Sequence, residues 1–271
     1  MLMKSPEPPP TSYWQRRDVV ASQAAGEWAT PRIIDYRSVE NDVWAQVSAA
    51  LRVLWDRHAS TEILGARCDL GLPADRVPQL AEVNAALSRC SDFSNRAVPG
   101  LVEREMFFAA LARRVFLSTQ YVRWERSPFY TAEPDVIHEV MGHGHALTVP
   151  GLAQLHRLAG EAMCRLHQPE SKRFVANVFW FSGEFGVVRE RSGWKAYGAG
   201  LLSSTGELDS FARRAEVVAL DIRRMGTIPY DIGNYQPLLF GAMSLTEVLD
   251  TVGTFFETCS DQSIAELTCA R

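Results

Sequence analysis

"PDVIHEVMGHGHAL", residues 134–147, places three histidines and a glutamate between positions 138 and 145. A zinc-protease helix of the form H-E-x-x-H would need its second histidine at position 142, which is glycine. On a continuous α-helix, which turns about 100° per residue, His138 and His143 would diverge by about 140°. They converge if the helix ends between them, and Gly142 and Gly144 supply residues that tolerate the left-handed turn closing a helix. His145 lies nearly in phase with His138. Spacing alone therefore leaves two pairs open: His138 with His145 on an intact helix, or His138 with His143 on a broken one.

A third ligand stands in "NVFWFSGEFGVV", residues 177–188, where Glu184 is surrounded by Val178, Phe179, Trp180, Phe181, Phe185, Val187 and Val188. A carboxylate in such a segment is costly to bury unless it is paired or metal-bound. Two imidazoles and one carboxylate with open positions opposite form the facial triad of non-haem Fe(II) oxygenases. The same donors serve zinc hydrolases, and Glu139 would then be the general base. From the residues alone the zinc hydrolase is the rival reading.

Working outward, the sequence is mainly α with a small amount of β. Val43, Val47, Leu51 and Leu54, widened by Trp44 and Trp55, recur at helical spacing. Pro134 suits the first turn of the histidine helix, Ser171 suits a helix cap, and "SLTE" at 244–247 fits a capping box. Residues 193–206 and 226–237 read as loops or small β pieces. We expect a single catalytic domain over residues 13–258, a disordered tail at 1–12 and a C-terminal tail at 259–271.

The 271 residues carry a net charge of −4, with Lys and Arg scattered rather than striped, so a nucleic-acid interface is not expected. Five cysteines without C-x-x-C spacing point to a reducing compartment. There is no signal core and no apolar run of the roughly 20 residues a membrane span needs. A cytoplasmic protein that does not engage membranes is the expectation.

Six stretches, "VPQLAEVNAAL", "VPGLVEREMFFAALARRVFLSTQYVR", "PFYTAEPDVIHEVMGH", "FWFSGEFG", "KAYGAGLLSSTGEL" and "YQPLLF", occur in the order and near the spacing of one family. Over residues 40 to 257 the chain resembles the pterin-dependent aromatic amino acid hydroxylases. The resemblance implies a catalytic domain of that type, with Fe(II) on His138, His143 and Glu184, and so selects the broken helix. It implies that Arg123 grips the amino acid's carboxylate, a task suited to a guanidinium fork. Thr131, Asp135 and Ser203 would support that grip or place the substrate, and Trp180 would form an aromatic wall. A tetrahydropterin would stack on Phe107, beside Gly100, Leu101 and Val102, with Glu139 close to it. Tyr230 would belong to a mobile region over the site, and O₂ is the implied co-substrate.

There are departures from the family pattern. Gly144-His145 replaces the usual Val-Pro after the second ligand, and His145 is expected at the surface or as a hydrogen-bond partner near the iron. Phe179 replaces a common tyrosine and Leu117 a common histidine. Larger relatives carry a regulatory domain and a tetramer-forming helix for which there is no room here, so a monomer is the simplest expectation. Ile232 stands where tyrosine-using relatives carry an acid. That favours phenylalanine as substrate, with tryptophan second and either para or meta hydroxylation.

Overall fold

The computed structural model of the chain describes residues 8–24, 31–129, 131 and 133–269. Helix makes up 59% and strand 10%, as the mainly α reading expects. Four helices come first: α1 (Thr11–Gln23), α2 (Ser38–His58), α3 (Thr61–Leu70) and α4 (Leu80–Leu87). Strand β1 (Ser94–Ala97), α5 (Arg104–Ala112) and strand β2 (Val115–Ser118) follow. A π-helical segment, His138–Gly144, then runs into α6 (His145–Thr148), α7 (Pro150–Arg165) and α8 (Pro169–Phe179). A second π-helical segment, Trp180–Glu184, extends α8. Next come β3 (Val187–Glu190), β4 (Gly193–Ala196), α9 (Ala199–Ser203), α10 (Thr205–Arg214), β5 (Glu216–Ala219), α11 (Ile222–Thr227) and β6 (Leu238–Ala242). The chain ends with α12 (Leu245–Val248), a third π-helical segment (Leu249–Gly253), α13 (Thr254–Thr258) and α14 (Asp261–Cys269).

The stripe read on α2 is the spine of the core. Val43, Trp44, Val47, Leu51 and Trp55 are buried, in a cluster that reaches α7, α8 and α13. Burying each such side chain contributes about 1.5–3 kcal/mol. The indole N–H groups are satisfied as well: Trp44 donates to the Pro73 carbonyl at 3.0 Å and Trp55 to that of Leu202 at 2.8 Å. Trp55 thereby fixes the end of α9 against α2.

Four strands form a sheet in the order β4-β3-β6-β5, antiparallel between β3 and β4 and parallel elsewhere, with Val187 opposite Gly241. Gly193 enters β4 with φ +123°, a conformation that favours glycine. The second π-helical segment leads into β3 two residues later.

Two capping expectations need correction, and the terminal stretches carry helices. Part of the expected C-terminal tail is folded: Ile264 of α14 is buried, and the Asp261 carboxylate accepts the backbone N–H groups of His167 and Gln168 at 3.0 and 3.1 Å. That carboxylate sits at the N-terminal end of α8, where unpaired N–H groups need acceptors. Of the expected N-terminal tail, residues 1–7 lie outside the described residues, whereas Thr11 and Ser12 already belong to α1. Ser171 does not cap α8, which starts two residues earlier at Pro169. Ser244 does cap α12, accepting from the Glu247 N–H at 3.1 Å, but Glu247 reaches back to the Met243 N–H rather than to Ser244. Among the described residues, no helix is long and apolar enough to cross a membrane.

Candidate metal centre and its two cavities

His138 and His143 do converge, but not because the helix breaks. The segment His138–Gly144 is π-helical, and its wider i→i+5 turn brings residues five apart onto nearly the same side. The two imidazole centroids are 4.9 Å apart. Neither Gly142 nor Gly144 has positive φ. Gly142 is needed for another reason: a Cβ there would lie 2.6 Å from the Ala199 carbonyl oxygen, so glycine lets α9 approach the histidine segment. Asp135 lies three residues ahead of His138, and its carboxylate accepts the His138 N–H at 3.2 Å.

Glu184 arrives from the second π-helical segment. Its Oε1 is 2.9 Å from His143 Nε2 and its Oε2 is 3.9 Å from His138 Nε2. One donor atom from each of the three residues lies within 4.8 Å of the others. Around an ion with bonds of about 2.1 Å, adjacent donors sit about 3 Å apart, so small adjustments close the set. Burial pushes the His138 imidazole down to about 4 against the opposing pull of Glu184, which leaves it neutral, as a metal ligand must be. Burial works against charge on His143 and Glu184 too. Their contact outweighs it, raising the His143 pKa and lowering that of Glu184. A bound cation would replace the proton in that contact.

Each ligand's other nitrogen is engaged. His138 Nδ1 is 2.9 Å from Ser203 Oγ, which itself donates to the Ala199 carbonyl at 2.8 Å. The hydroxyl proton is thus spent on the carbonyl, so Ser203 accepts from His138 Nδ1–H and leaves Nε2 for a metal. His143 Nδ1 is 3.3 Å from His156 Nε2.

Two cavities meet at the cluster, sharing Leu101, Pro134, His138, Trp180 and Glu184. The first, about 290 Å³, is walled by Phe107, Phe116, Leu117 and Phe179 and contains Glu139 and Thr119. Burial lifts the Glu139 carboxyl to about 7, against His143 and the Thr119 donors at 3.1 and 3.2 Å. The second, about 300 Å³, is lined by Arg123, Thr131, Phe185, Ser203, Glu207 and Ile232. Arg123 and Asp135 are both buried. The guanidinium donates Nε–H and Nη2–H to the two carboxylate oxygens at 3.0 and 2.7 Å. Because Asp135 also accepts the His138 N–H, one carboxylate ties the arginine to the metal segment. A larger groove of about 780 Å³, lined by Phe174, Tyr230 and Ile264, contains none of the cluster's three residues.

A family profile described as "Biopterin-dependent aromatic amino acid hydroxylase" matches residues 4–265. The chain belongs to this family. It is 47% identical over 235 residues to phenylalanine 3-hydroxylase of Streptomyces coeruleorubidus, a match covering 87% of this chain and 84% of that one. It is 37% identical to tyrosine 3-monooxygenase of Drosophila melanogaster over 92% of this chain, and there it spans 44% of the relative's length. Chromobacterium violaceum phenylalanine hydroxylase, in a structure holding iron(III) and 7,8-dihydrobiopterin, superposes with a TM-score of 0.83 at 27% identity, covering 93% of this chain and 92% of that one.

As a pterin-dependent aromatic amino acid monooxygenase, the chain is not the zinc hydrolase that Glu139 left open. Its structure brings Gly100, Leu101, Val102, Phe107 and Glu139 to the first cavity and Arg123, Thr131 and Ser203 to the second, with Trp180 on both. Tyr230 borders the first cavity and stacks on Trp180 with centroids 4.1 Å apart and planes within 10°. Asp135 stands behind Arg123 rather than in the cavity wall. His145 corrects the surface expectation: it is buried, with Nδ1 3.1 and 3.2 Å from the Met141 and Val140 carbonyls and its ring edge-on to Trp55 at 4.5 Å. It therefore packs the core and is not part of the metal cluster. Two residues escaped the sequence reading. His156 was hidden in the apolar stripe of α7, where a polar residue between Leu155 and Ala159 was the available signal. Glu207 lies in "STGEL", a stretch that resembled the family without marking this carboxyl.

Proposed function

We propose that the chain is an Fe(II)- and tetrahydropterin-dependent monooxygenase that hydroxylates the ring of free phenylalanine at the meta position, with O₂ as co-substrate. The observation that carries this reading is the His138–His143–Glu184 cluster at the meeting point of two cavities of different chemistry. The donor set fits ferrous iron, since two neutral imidazoles and one carboxylate leave a face of the ion free toward both cavities. The first cavity, with the Phe107 ring and one buried carboxyl, fits a flat heteroaromatic pterin. When bound, iron and pterin together activate dioxygen, one oxygen atom passing to the amino acid's ring and the other to the pterin.

The chain's own residues supply orientation and exclusion of water. Arg123, held by Asp135, keeps N–H groups for the substrate carboxylate. Thr131 and Ser203 bound that end of the cavity, and Trp180 and Phe185 wall the ring. Gly100, Leu101 and Val102 flank the pterin stacked on Phe107, Glu139 places a buried carboxyl beside it, and Tyr230 covers Trp180. The similarity to a relative named phenylalanine 3-hydroxylase supports both the substrate and the ring position. Exposed, apolar Ile232 on the second cavity agrees with a substrate lacking a ring hydroxyl. We assign the catalytic unit to residues 13–258 with α14 as a brace, and read the protein as a cytoplasmic monomer acting on small molecules. The unpaired Cys90, Cys164, Cys259 and Cys269 agree with a reducing compartment.

The test is a product analysis. Protein loaded anaerobically with Fe(II) is given tetrahydrobiopterin, O₂ and, in parallel, phenylalanine, tyrosine or tryptophan. meta-Tyrosine from phenylalanine is expected. para-Tyrosine would overturn the ring position, a tryptophan product the substrate, and turnover independent of pterin the whole reading.

A further inference from the structure

His156 lies in the apolar stripe of α7 and is 1% exposed. A histidine buried this deeply must satisfy both ring nitrogens, and both have partners. Nδ1 is 2.8 Å from the Leu152 carbonyl one turn back, and Nε2 is 3.3 Å from His143 Nδ1. A carbonyl can only accept, so the proton of His156 is on Nδ1. No carboxylate hydrogen-bonds to this ring among the described residues, so no partner calls for a second proton and Nε2 carries a lone pair. The opposite arrangement, His156 donating from Nε2, would set a lone pair against the Leu152 oxygen at 2.8 Å.

The consequence for His143 is direct. Its Nδ1 faces a lone pair and must be the protonated nitrogen. Its Nε2 is then the nitrogen turned to Glu184 Oε1, 2.9 Å away, where a bound cation would take the place of the proton. The ring planes are fixed as well. Phe179 meets His156 edge-on at 5.2 Å, and Phe116 lies against His143 at 4.4 Å with planes 33° apart.

We propose that His156 is a positioning residue for the metal: its Nε2 lone pair holds His143 in the Nδ1–H form and aims His143 Nε2 at the ion. It does for His143 what Ser203 does for His138. An imidazole acceptor, unlike a carboxylate, adds no negative charge, so Glu184 remains the anionic ligand. This inference rests on reading His138, His143 and Glu184 as the iron ligands.

Two experiments test it. In the parent protein loaded with Zn(II) as a diamagnetic probe, ¹⁵N spectra of labelled histidine should show His143 and His156 protonated at Nδ1 and His156 unprotonated at Nε2. A proton on His156 Nε2 would overturn the proposal. Separately, Co(II) affinity is measured by chelator competition in H156Q and H156M, side chains of similar length that differ in having an amide oxygen acceptor. H156M should bind about 10–100-fold more weakly than the parent, and H156Q within about threefold of it. Parent-like affinity in H156M would overturn the proposal, and if that variant does not fold, the ¹⁵N spectra decide. E184A is the control for the underlying reading. Parent-like affinity in E184A would sink the triad itself, whereas loss in E184A without loss in H156M would sink His156 alone.

Discussion

The two cavities flanking the metal cluster are nearly equal in volume and differ in how they hold a guest. The first is mostly aromatic and aliphatic, with walls on α5, β2 and the first two π-helical segments. The second has a buried ion pair at one end, and much of its wall lies on the segments around Thr131 and Ile232–Tyr235. A flat neutral ring needs a stacking face and exclusion of water. A zwitterion needs a charge partner that has itself been desolvated and held in place. The structure offers the first need a helical wall and the second a guanidinium clamped by Asp135, so damage to one cavity should register in one ligand's kinetics and leave the other's alone.

The largest expected effect comes from the residue both cavities share. Glu184→Ala removes the anionic ligand, and iron affinity should fall by more than the roughly 100-fold that follows loss of an outer partner. Metal analysis after dialysis and turnover measured together check this, and both should be lost. Next is Arg123→Lys, which keeps a charge but cannot serve Asp135 and a substrate carboxylate with one planar fork. The KM for phenylalanine should rise about 10–100-fold, reflecting about 1.5–3 kcal/mol of charged hydrogen bonding. The KM for pterin should not move in steady-state kinetics. A matching rise in both would erase the distinction between the cavities.

Phe107→Ala sharpens the comparison from the other side. Losing the stacking ring should raise the pterin KM about tenfold, from about 1–1.5 kcal/mol of aromatic contact, with the phenylalanine KM unchanged. The ring is half-buried and edge-on to Phe108, Phe116 and Phe179, so a drop in Tm should accompany the change. Phe107→Leu, which restores apolar volume without a stacking face, separates the two effects.

How much of this was legible in the sequence depended on how far each cause reaches along the chain. The α2 stripe and the burial of Glu184 among apolar neighbours were readable because their causes are local. The convergence of His138 with His143 was not, since hydrophobic periodicity does not encode i→i+5 bonding. The glycine that permits the close packing answers to Ala199, far along the sequence. Spacing left His145 and His143 as rivals, and the family resemblance chose between them. The Arg123–Asp135 clamp also entered through that resemblance, because a lone arginine in "QYVRWERSP" reads equally as a surface charge. The partner of His156 was not readable, because it lies on a different helical segment. α14 was missed because Asp261 caps a helix that begins more than ninety residues earlier.

The smallest expected effect concerns the carboxyl in the second cavity. Burial lifts Glu207 from 4.5 to about 7, although its side chain accepts the Gln236 N–H at 2.6 Å and Arg214 pulls the other way. Between those two values the folded chain retains a proton that the unfolded chain has released. The native state then binds more protons, and stability contributed by this group falls as pH rises from about 4.5 to about 7. The full shift would correspond to about 3 kcal/mol; water in the open cavity reduces the expected loss to about 1 kcal/mol. Glu207→Gln keeps an oxygen to accept from Gln236 and cannot ionise. Urea unfolding at pH 5 and pH 8 should therefore show a smaller difference in the variant than in the parent, by about 1 kcal/mol. The comparison of cavities adds a second readout. Ionised Glu207 would repel a substrate carboxylate held by Arg123, so the parent's phenylalanine KM should rise above pH 7 and that of Glu207→Gln should stay level. The pterin KM should respond to pH equally in both proteins, because Glu139, the carboxyl of the first cavity, is untouched. A pH-dependent phenylalanine KM that survives in Glu207→Gln would mean the two cavities do not titrate separately.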